Sequence, residues 1–433
     1  MGSSFKSKLS RLPKLARPVV TTPAEVEPAV LASESTPGPA QERLQALKDR
    51  LDSMRNKHAR QRLRRTAAQP LPGAVEETAF GPLHRYQQAY AADACHGHVP
   101  VSDCLQVMPT TLAELALDPV LEGVAIDKLL FIDTETTGLA GGAGTLPFLI
   151  GVAWFEDGCL QIEQLLLLRP GQEAPMLQHL AQRFASASAL VTYNGKSFDW
   201  PLLRNRFVLN RVDMPVAVPH LDVLHCARRV FKHRQGPLRL THLETTELGF
   251  TRVGDIEGAL IPPTYFRFLR GASPNTLTPI LTHNRHDLAA LVALIPALAK
   301  RWASVEANTS GADCLALAQL SVRAGVKDRA LDFAQAVAAQ SDTSGVHAIE
   351  AQLLCAQLLR QRGDVDGALA ALHAALQHPQ KAEHAAVHLA LAKLYEHHVK
   401  DFVAAVRHAQ HTLGAEPHAA HQKRVERVRR KIG

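Results

Sequence analysis

The run Leu129-Leu130-Phe131-Ile132-Asp133-Thr134-Glu135-Thr136-Thr137-Gly138 constrains this chain more than any other segment. Its four leading apolar residues read as a buried strand, and strand side chains alternate between faces, so Asp133 and Glu135 project together from the strand's end. Two carboxylates on one face repel. Either one stays protonated or a cation lies between them, and a pair of divalent metal ions is the usual solution in phosphoryl-transfer sites. For the bare Asp-x-Glu pair the plain alternative is a polar turn, with Asp133 capping and Glu135 solvated.

Further acids follow at structured positions. Ala189-Leu190-Val191-Thr192-Tyr193 reads as a second buried strand, then a turn at Asn194-Gly195, then a helix for which Ser197 suits the N-cap and Pro201 the first turn. That leaves Asp199 near the mouth of the sheet. A helix beginning near Leu277 carries the apolar stripe Leu288, Leu291, Leu294, Ile295 and Leu298, and on it His283 and Asp287 stand four residues apart, on neighbouring faces. Asp222 in His220-Leu221-Asp222 suits a helix cap better than an accessory acid. The glycine-rich stretch from Gly138 to Thr145 lacks the Gly-Lys-Ser/Thr of a phosphate loop, and Phe148 to Phe155 reads as a strand where such a loop would open a helix. It is therefore expected to be a connection between strands beside the acids.

An Asp-x-Glu on a first strand, an Asp after a Tyr-Asn-Gly turn and an Asp on a late helix together resemble the DEDD exonuclease superfamily. More closely, FIDTETTGLAGGAGT, VTYNGKSFDWPLL, HLDVLHCARR and HNRHDL, in that order, resemble the YprB-type ribonuclease H-like exonuclease family over roughly residues 70 to 300. The resemblance implies an α/β fold, a ribonuclease H-like mixed sheet flanked by helices. It implies two Mg²⁺ or Mn²⁺ ions, with Asp133 bridging both, Glu135 and Asp287 completing one site and Asp199 serving the other. Carboxylates suit such hard ions, one of which would activate water while the other stabilises the leaving oxygen. The general base would be His283, which occupies the position four before the last acid where tyrosine-type members carry Tyr. His286 and Tyr193 are weaker candidates.

The rest of the chain agrees. Six cysteines form no C-x-x-C pair, and neither a signal peptide nor a membrane-length apolar run is seen, so a reducing cytoplasm and no membrane partner are expected. Residues 1 to 70 hold 14 Lys and Arg against 6 Asp and Glu, leaving 34 and 35 elsewhere, so the whole excess of the net +7 lies in the tail. Residues 1 to 40 read as disordered, and 41 to 66 suit a helix with Leu44, Leu47, Leu51 and Met54 on one stripe. Its basic end, Lys57 to Arg65, would attract phosphates unless it is simply a solvated charge run.

A nuclease domain is expected over 71 to 305, then an all-α helical-repeat domain over 312 to 433. Ala330, Ala368 and Ala404 recur at spacings of 38 and 36 in similar surroundings, which resembles degenerate tetratricopeptide repeats closed by a basic helix, Lys423 to Lys431. A plain helical bundle is the alternative. His384 and His388 stand four apart, without an acidic companion that would argue for a metal.

The function expected is a metal-dependent, two-metal 3′→5′ exonuclease acting on nucleic acid, with DNA and RNA both open and a protein partner expected on the repeats. The competing readings are a nuclease-fold scaffold of weak or lost activity, and a structure-selective endonuclease with the same metals.

Overall fold

The computed structural model describes residues 71–138, 144–306, 309–340, 345–380 and 383–432. The basic tail and its expected helix, and residues 139–143 of the glycine-rich stretch, lie outside the described residues.

The N-terminal part is built on strands β1 (Ala74–Thr78), β2 (Gly81–Tyr90), a small pair β3 (Cys95–His96) and β4 (Val99–Pro100), then β5 (Leu129–Thr136), β6 (Pro147–Glu156), β7 (Cys159–Leu166), β8 (Ala189–Thr192) and β9 (His220–Asp222). Among the described residues they form a seven-stranded sheet in the order β1-β2-β7-β6-β5-β8-β9, with β3 and β4 paired separately. From β1 to β5 the neighbours are antiparallel, whereas β5–β8 and β8–β9 are parallel, so the sheet is mixed. Phe148 to Phe155 lies within β6, as expected of a strand-to-strand connection after Gly138.

β5 is apolar on both faces because both are covered, which is why its sequence shows no alternation before Asp133. Leu130 and Ile132 face a core with the helices α2 (Ala174–Ala185), α3 (Asp199–Leu209) and α6 (Ile261–Leu269), following α1 (Pro109–Ala116) earlier in the chain. Leu129 and Phe131 face a second core that contains α4 (Val223–Val230) and most of the long helix α7 (Thr278–Ala303), with α5 (Leu240–Leu248) beside it. The first turns of α7, with Leu277, Ile280 and Leu281, belong to the first core, and Leu288 to Leu298 belong to the second. The helix thus crosses from one side of the sheet to the other. His283 and Asp287 fall at that crossing.

After α7 come packed helices: α8 (Gly311–Arg323), α9 (Lys327–Ala339), α10 (Gly345–Gln361), α11 (Val365–Ala375), α12 (His384–Leu394), a π-turn over Tyr395–Val399, α13 (Phe402–Ala409) and α14 (His418–Arg429). Ala330 and Ala368 are fully buried in the fourth position of α9 and α11. In α13 that position belongs to Ala405, which is fully buried, while Ala404 is half-buried and gives its N–H to the cap Asp401. The buried alanine in the fourth position of α13 is therefore Ala405, not the Ala404 that the sequence spacing aligned. His384 turns to the carbonyl of His378 and His388 to the ring of His408, so the two histidines do not face a common ligand.

The cores cross the expected boundary near residue 305. Leu315, Leu317, Phe333 and Val337 belong to the same apolar cluster as Phe131, Val191 and Trp302. Polar links reinforce it: Trp302 donates to Glu114 at 2.6 Å, Arg329 pairs with the same carboxylate at 2.9 Å, and Arg234 grips Asp313. All six cysteines carry free thiols, four of them buried among apolar side chains. No helix among the described residues is long and apolar enough to cross a membrane.

Candidate active site

Asp133 and Glu135 leave β5 on the face that α7 covers, beyond the last apolar residue of the strand. Asp133 is held from the helix: Asn284, fully buried, donates to Oδ2 at 2.8 Å, while its own amide oxygen accepts from Gln164 of β7 at 2.8 Å. The path between them runs over Gly151, the β6 partner of Asp133, where a Cβ would come within 2.1 Å of the Asn284 amide oxygen. Only glycine lets α7 approach this closely.

Asp199 arrives from the other side of the sheet as the first residue of α3. The N-cap is Phe198, without a side-chain cap bond, and not Ser197, because the chain turns one residue later than its capping residue suggests. Pro201 does fall in the first turn. The Thr134 hydroxyl, between the two strand acids, donates to the Asp199 carboxylate. The preceding turn is shaped by Asn194 at φ 67° and by Gly195, where a Cβ would strike the Thr192 side chain at 2.5 Å. Asp222 caps α4 through the Leu224 N–H and also accepts from the N–H groups of Asn194 and Lys196, at 2.8 and 3.1 Å. It is the expected cap, and it secures the turn that delivers Asp199.

Asp287 and His283 complete the cluster from α7. His283 Nε2 lies 3.3 Å from Asp287 Oδ2 and 3.9 Å from Glu135 Oε1. Ligand atoms of Glu135, His283 and Asp287 all fall within 4.8 Å of one another, a group able to hold a metal ion. Asp133 and Asp199 stand beside it, close enough to act on their neighbours' charge. Burial first, then repulsion from Asp287 and Asp199, pushes the Asp133 carboxyl well above the usual range, with Asn284 and Arg252 opposing. Glu135 is raised likewise by burial and by Asp133, Asp287, Asp199 and Asp255. Burial pushes Asp199 up to about 6 against the hydrogen bond from Thr134. Asp287 is raised by burial and opposed by Arg252 and His283.

Residues without a local sequence signature surround these acids. Arg252 donates through Nη2 to Asp287 Oδ1 at 2.6 Å, through Nη1 to Asp255 Oδ2 at 3.1 Å and through Nε to Glu244 Oε2 at 2.6 Å. Glu244 is itself buried and lies 2.6 Å from His96. Asp255 Oδ2 lies 2.8 Å from His283 Nδ1. Burial disfavours a charged His283, but Asp255 and Asp287 outweigh it and raise its pKa. The weaker base candidates are committed elsewhere. His286 packs edge-on against Phe250 and burial holds it at about 4; Tyr193 donates its hydroxyl to the Leu238 carbonyl.

Residues 130–299 match the family model described as the RNase H superfamily, a span that starts on β5 and ends in α7. The chain is also 33% identical over 296 residues to the "Uncharacterized protein YprB" of Bacillus subtilis (strain 168), covering 67% of this chain and 70% of the relative. The chain belongs to the RNase H superfamily, as a homologue of YprB. In an RNase H fold the end of β5, with the acids that gather there, is where a metal site is consistent with the donors present: hard carboxylate oxygens and one imidazole.

The donors also fit an ion by charge. Among the described residues, Asp133, Glu135, Asp199, Asp255 and Asp287 face the guanidinium of Arg252 and the imidazole of His283, so the cluster carries a surplus of negative charge whenever the acids are ionised.

Proposed function

We propose that this chain is a metal-dependent nuclease that hydrolyses phosphodiester bonds of nucleic acid, working from 3′ ends as its resemblance to the DEDD exonucleases implies. The observation that supports it is the convergence of Asp133, Glu135, Asp199 and Asp287, from a strand and two helices on opposite sides of the sheet, at one end of β5 in a chain of the RNase H superfamily. When bound, two Mg²⁺ or Mn²⁺ ions would supply Lewis acidity to an attacking water and to the leaving oxygen.

The side chains supply the rest. Asp133, Glu135 and Asp287 hold charge where the phosphate reacts, and Asp199 extends the cluster toward the mouth of the sheet. Asn284 and Thr134 fix the rotamers of Asp133 and Asp199, and Arg252 fixes Asp287, so little reorganisation is left to the moment of reaction. Phe198, next to Asp199, is 55% exposed and offers a face on which an unpaired base can stack. A binding protein with a lost activity would be free to discard mutually repelling acids, and all four stand here.

The helices after α7 serve in this reading as tetratricopeptide-like repeats that dock a protein. A groove of about 510 Å³ between α10, α11 and α12, with Leu353, Leu389 and Leu394 in its wall and Arg360 and Lys393 beside them, supports that role.

End-labelled single-stranded and duplex DNA and RNA, incubated with Mg²⁺, Mn²⁺ or a chelator, test the nuclease reading. A ladder receding from the 3′ end that the chelator abolishes is expected. Internal cuts alone would make it an endonuclease, and no metal-dependent product from any substrate would overturn it.

A further inference from the structure

His283 presents two different nitrogens to two different neighbours. Nδ1 faces Asp255 Oδ2 at 2.8 Å, and an ionised carboxylate only accepts, so Nδ1 carries the proton and donates. The neutral ring's lone pair is then on Nε2, the nitrogen turned toward Asp287 Oδ2 at 3.3 Å and Glu135 Oε1 at 3.9 Å. Donor atoms about 2.1 Å from a common octahedral ion sit about 3 Å apart at neighbouring positions; the His283–Asp287 pair already stands at 3.3 Å, and Glu135, at 3.9 Å from Nε2, would close in to join it. A carboxylate behind the far nitrogen of an imidazole is the arrangement that orients metal-bound histidines and strengthens them as ligands.

Arg252 sets the other half of the geometry. Its Nη2 occupies Asp287 Oδ1 at 2.6 Å and its Nη1 holds Asp255 at 3.1 Å, so one planar guanidinium locks both the carboxylate beside Nε2 and the carboxylate behind Nδ1. Glu244, 1% exposed and itself held by His96, anchors Arg252 Nε from the protein interior. Nothing in this chain of bonds can turn independently.

We propose that His283 Nε2 is a ligand of the ion held with Glu135 and Asp287, that Asp255 and Arg252 are the residues that position it, and that the resulting mixed nitrogen and oxygen donor set makes the centre prefer Mn²⁺ to Mg²⁺. The proposal rests on the metal-dependent reading above and replaces the general-base role implied for His283, since a lone pair given to an ion is not available to a proton. Mg²⁺ seeks oxygen donors and keeps its waters, whereas imidazole suits the first-row transition ions.

Mn²⁺ added to the full-length protein at neutral pH is the probe, read by electron spin echo modulation for ¹⁴N coupling and by calorimetry for affinity against Mg²⁺. Wild type is expected to show imidazole ¹⁴N coupling and to bind Mn²⁺ at least tenfold tighter than Mg²⁺. In His283→Gln the coupling should vanish and the preference should shrink, while Asp255→Asn should keep the coupling but weaken Mn²⁺ binding ten- to a hundredfold. Bound Mn²⁺ without ¹⁴N coupling in wild type, with nucleic acid still cleaved, would overturn the proposal and leave the nuclease reading standing. Coupling that persists unchanged in folded His283→Gln would also overturn it. Absence of both metal binding and cleavage would remove the nuclease reading and this proposal with it.

Discussion

Asn284 donates to Asp133 Oδ2 at 2.8 Å while accepting from Gln164 at 2.8 Å, so this acid of the candidate site is tied through one buried amide to a strand two places away in the sheet. Replacing Asn284 with Leu leaves the Gln164 amide with a lost acceptor and Asp133 without its donor, in a place water does not reach. The expected cost is about 1–3 kcal/mol of stability. Cleavage should fall by about tenfold or more, because Asp133 loses its fixed rotamer. Gly151→Ala should do worse, since its Cβ would meet the Asn284 amide at 2.1 Å. Denaturant unfolding and turnover, measured on both variants, check this. Wild-type values in folded Asn284→Leu would show that the amide does not position the acid.

The acids predict an unusual dependence of the metal-free protein on pH. A carboxyl whose pKa is raised on folding favours the protonated folded state, so stability declines as pH rises from its unfolded value through its folded one. For Asp199 that window runs from 3.8 to about 6, and Asp133 and Glu135 extend it upward. In chelator the melting temperature is therefore expected to fall between pH 5 and pH 8, and Mn²⁺ should restore it. Asp133→Asn should be more stable than wild type in chelator at pH 8, by about 1–2 kcal/mol. It should gain little from metal and lose about three orders of magnitude or more of cleavage. Cleavage within a few-fold of wild type would rule out the assignment of Asp133.

The site was legible in sequence where short-range geometry determines it. Strand alternation joins Asp133 to Glu135, and the four-residue step joins His283 to Asp287. Asn284 sits between those last two in sequence, yet its role depends on Gly151 and Gln164, more than a hundred residues away, and no local pattern marks such a triad. Arg252 and Asp255 lie in an irregular stretch between α5 and α6 with no hydrophobic period, so nothing local singles them out from ordinary surface charges. The alanines that suggested a repeat were aligned on Ala404, whereas the buried one in α13 is its neighbour Ala405, a difference of one position that sequence spacing does not resolve. The continuity of the core across residue 305 was hidden for a related reason. Amphipathic helices announce an apolar face without naming what covers it.

Glu163 responds to acid in the opposite sense. Its side chain is fully buried in β7 and is held by His179 at 2.7 Å, Arg85 Nε at 2.9 Å and Arg183 Nε at 3.2 Å, with Arg183 stacked on Trp154. Burial alone would raise its pKa, but these partners outweigh it and hold the carboxyl down at about 2. A depressed folded pKa gives stability that is complete above the unfolded value of 4.5 and is lost as pH falls toward 2. Glu163→Gln strands the Arg85 and Arg183 guanidiniums and the His179 ring and should cost on the order of 3 kcal/mol at neutral pH. The variant should show a shallower acid limb between pH 4.5 and 2 in equilibrium unfolding; an unchanged limb would mean that other carboxylates govern acid unfolding.

Removing residues 1 to 66 deletes 14 Lys and Arg and 6 Asp and Glu, and with them the entire positive excess of the chain, but none of the acids at the end of β5. Affinity for nucleic acid should fall and its log–log salt slope become shallower, while turnover at saturation is kept. Filter binding across a salt series, alongside turnover, measures both. An unchanged slope would mean that the tail is a solvated or partner-binding segment.

The C-terminal helices do not separate cleanly from the sheet and its flanking helices. A chain ended at residue 305 would uncover Trp302 and the apolar side of α4, which now belong to one cluster with Leu315, Leu317 and Phe333, and would leave Arg234 without Asp313. Such a truncation is expected to melt at a markedly lower temperature than the full chain and to aggregate, even though every acid of the site is retained. A cut after residue 376 spares α8 to α11, and so spares the shared cluster entirely, while removing Leu389 and Leu394 from the groove wall. It should melt only slightly below wild type, because α10 and α11 no longer pack against α12. It should also keep cleavage of short oligonucleotides while releasing any protein held by the groove. Calorimetry and oligonucleotide turnover on the two truncations decide the matter. If the chain ending at 305 is monomeric, melts like wild type and cleaves normally, the shared core contributes nothing to the nuclease fold and the helices are an independent docking unit after all.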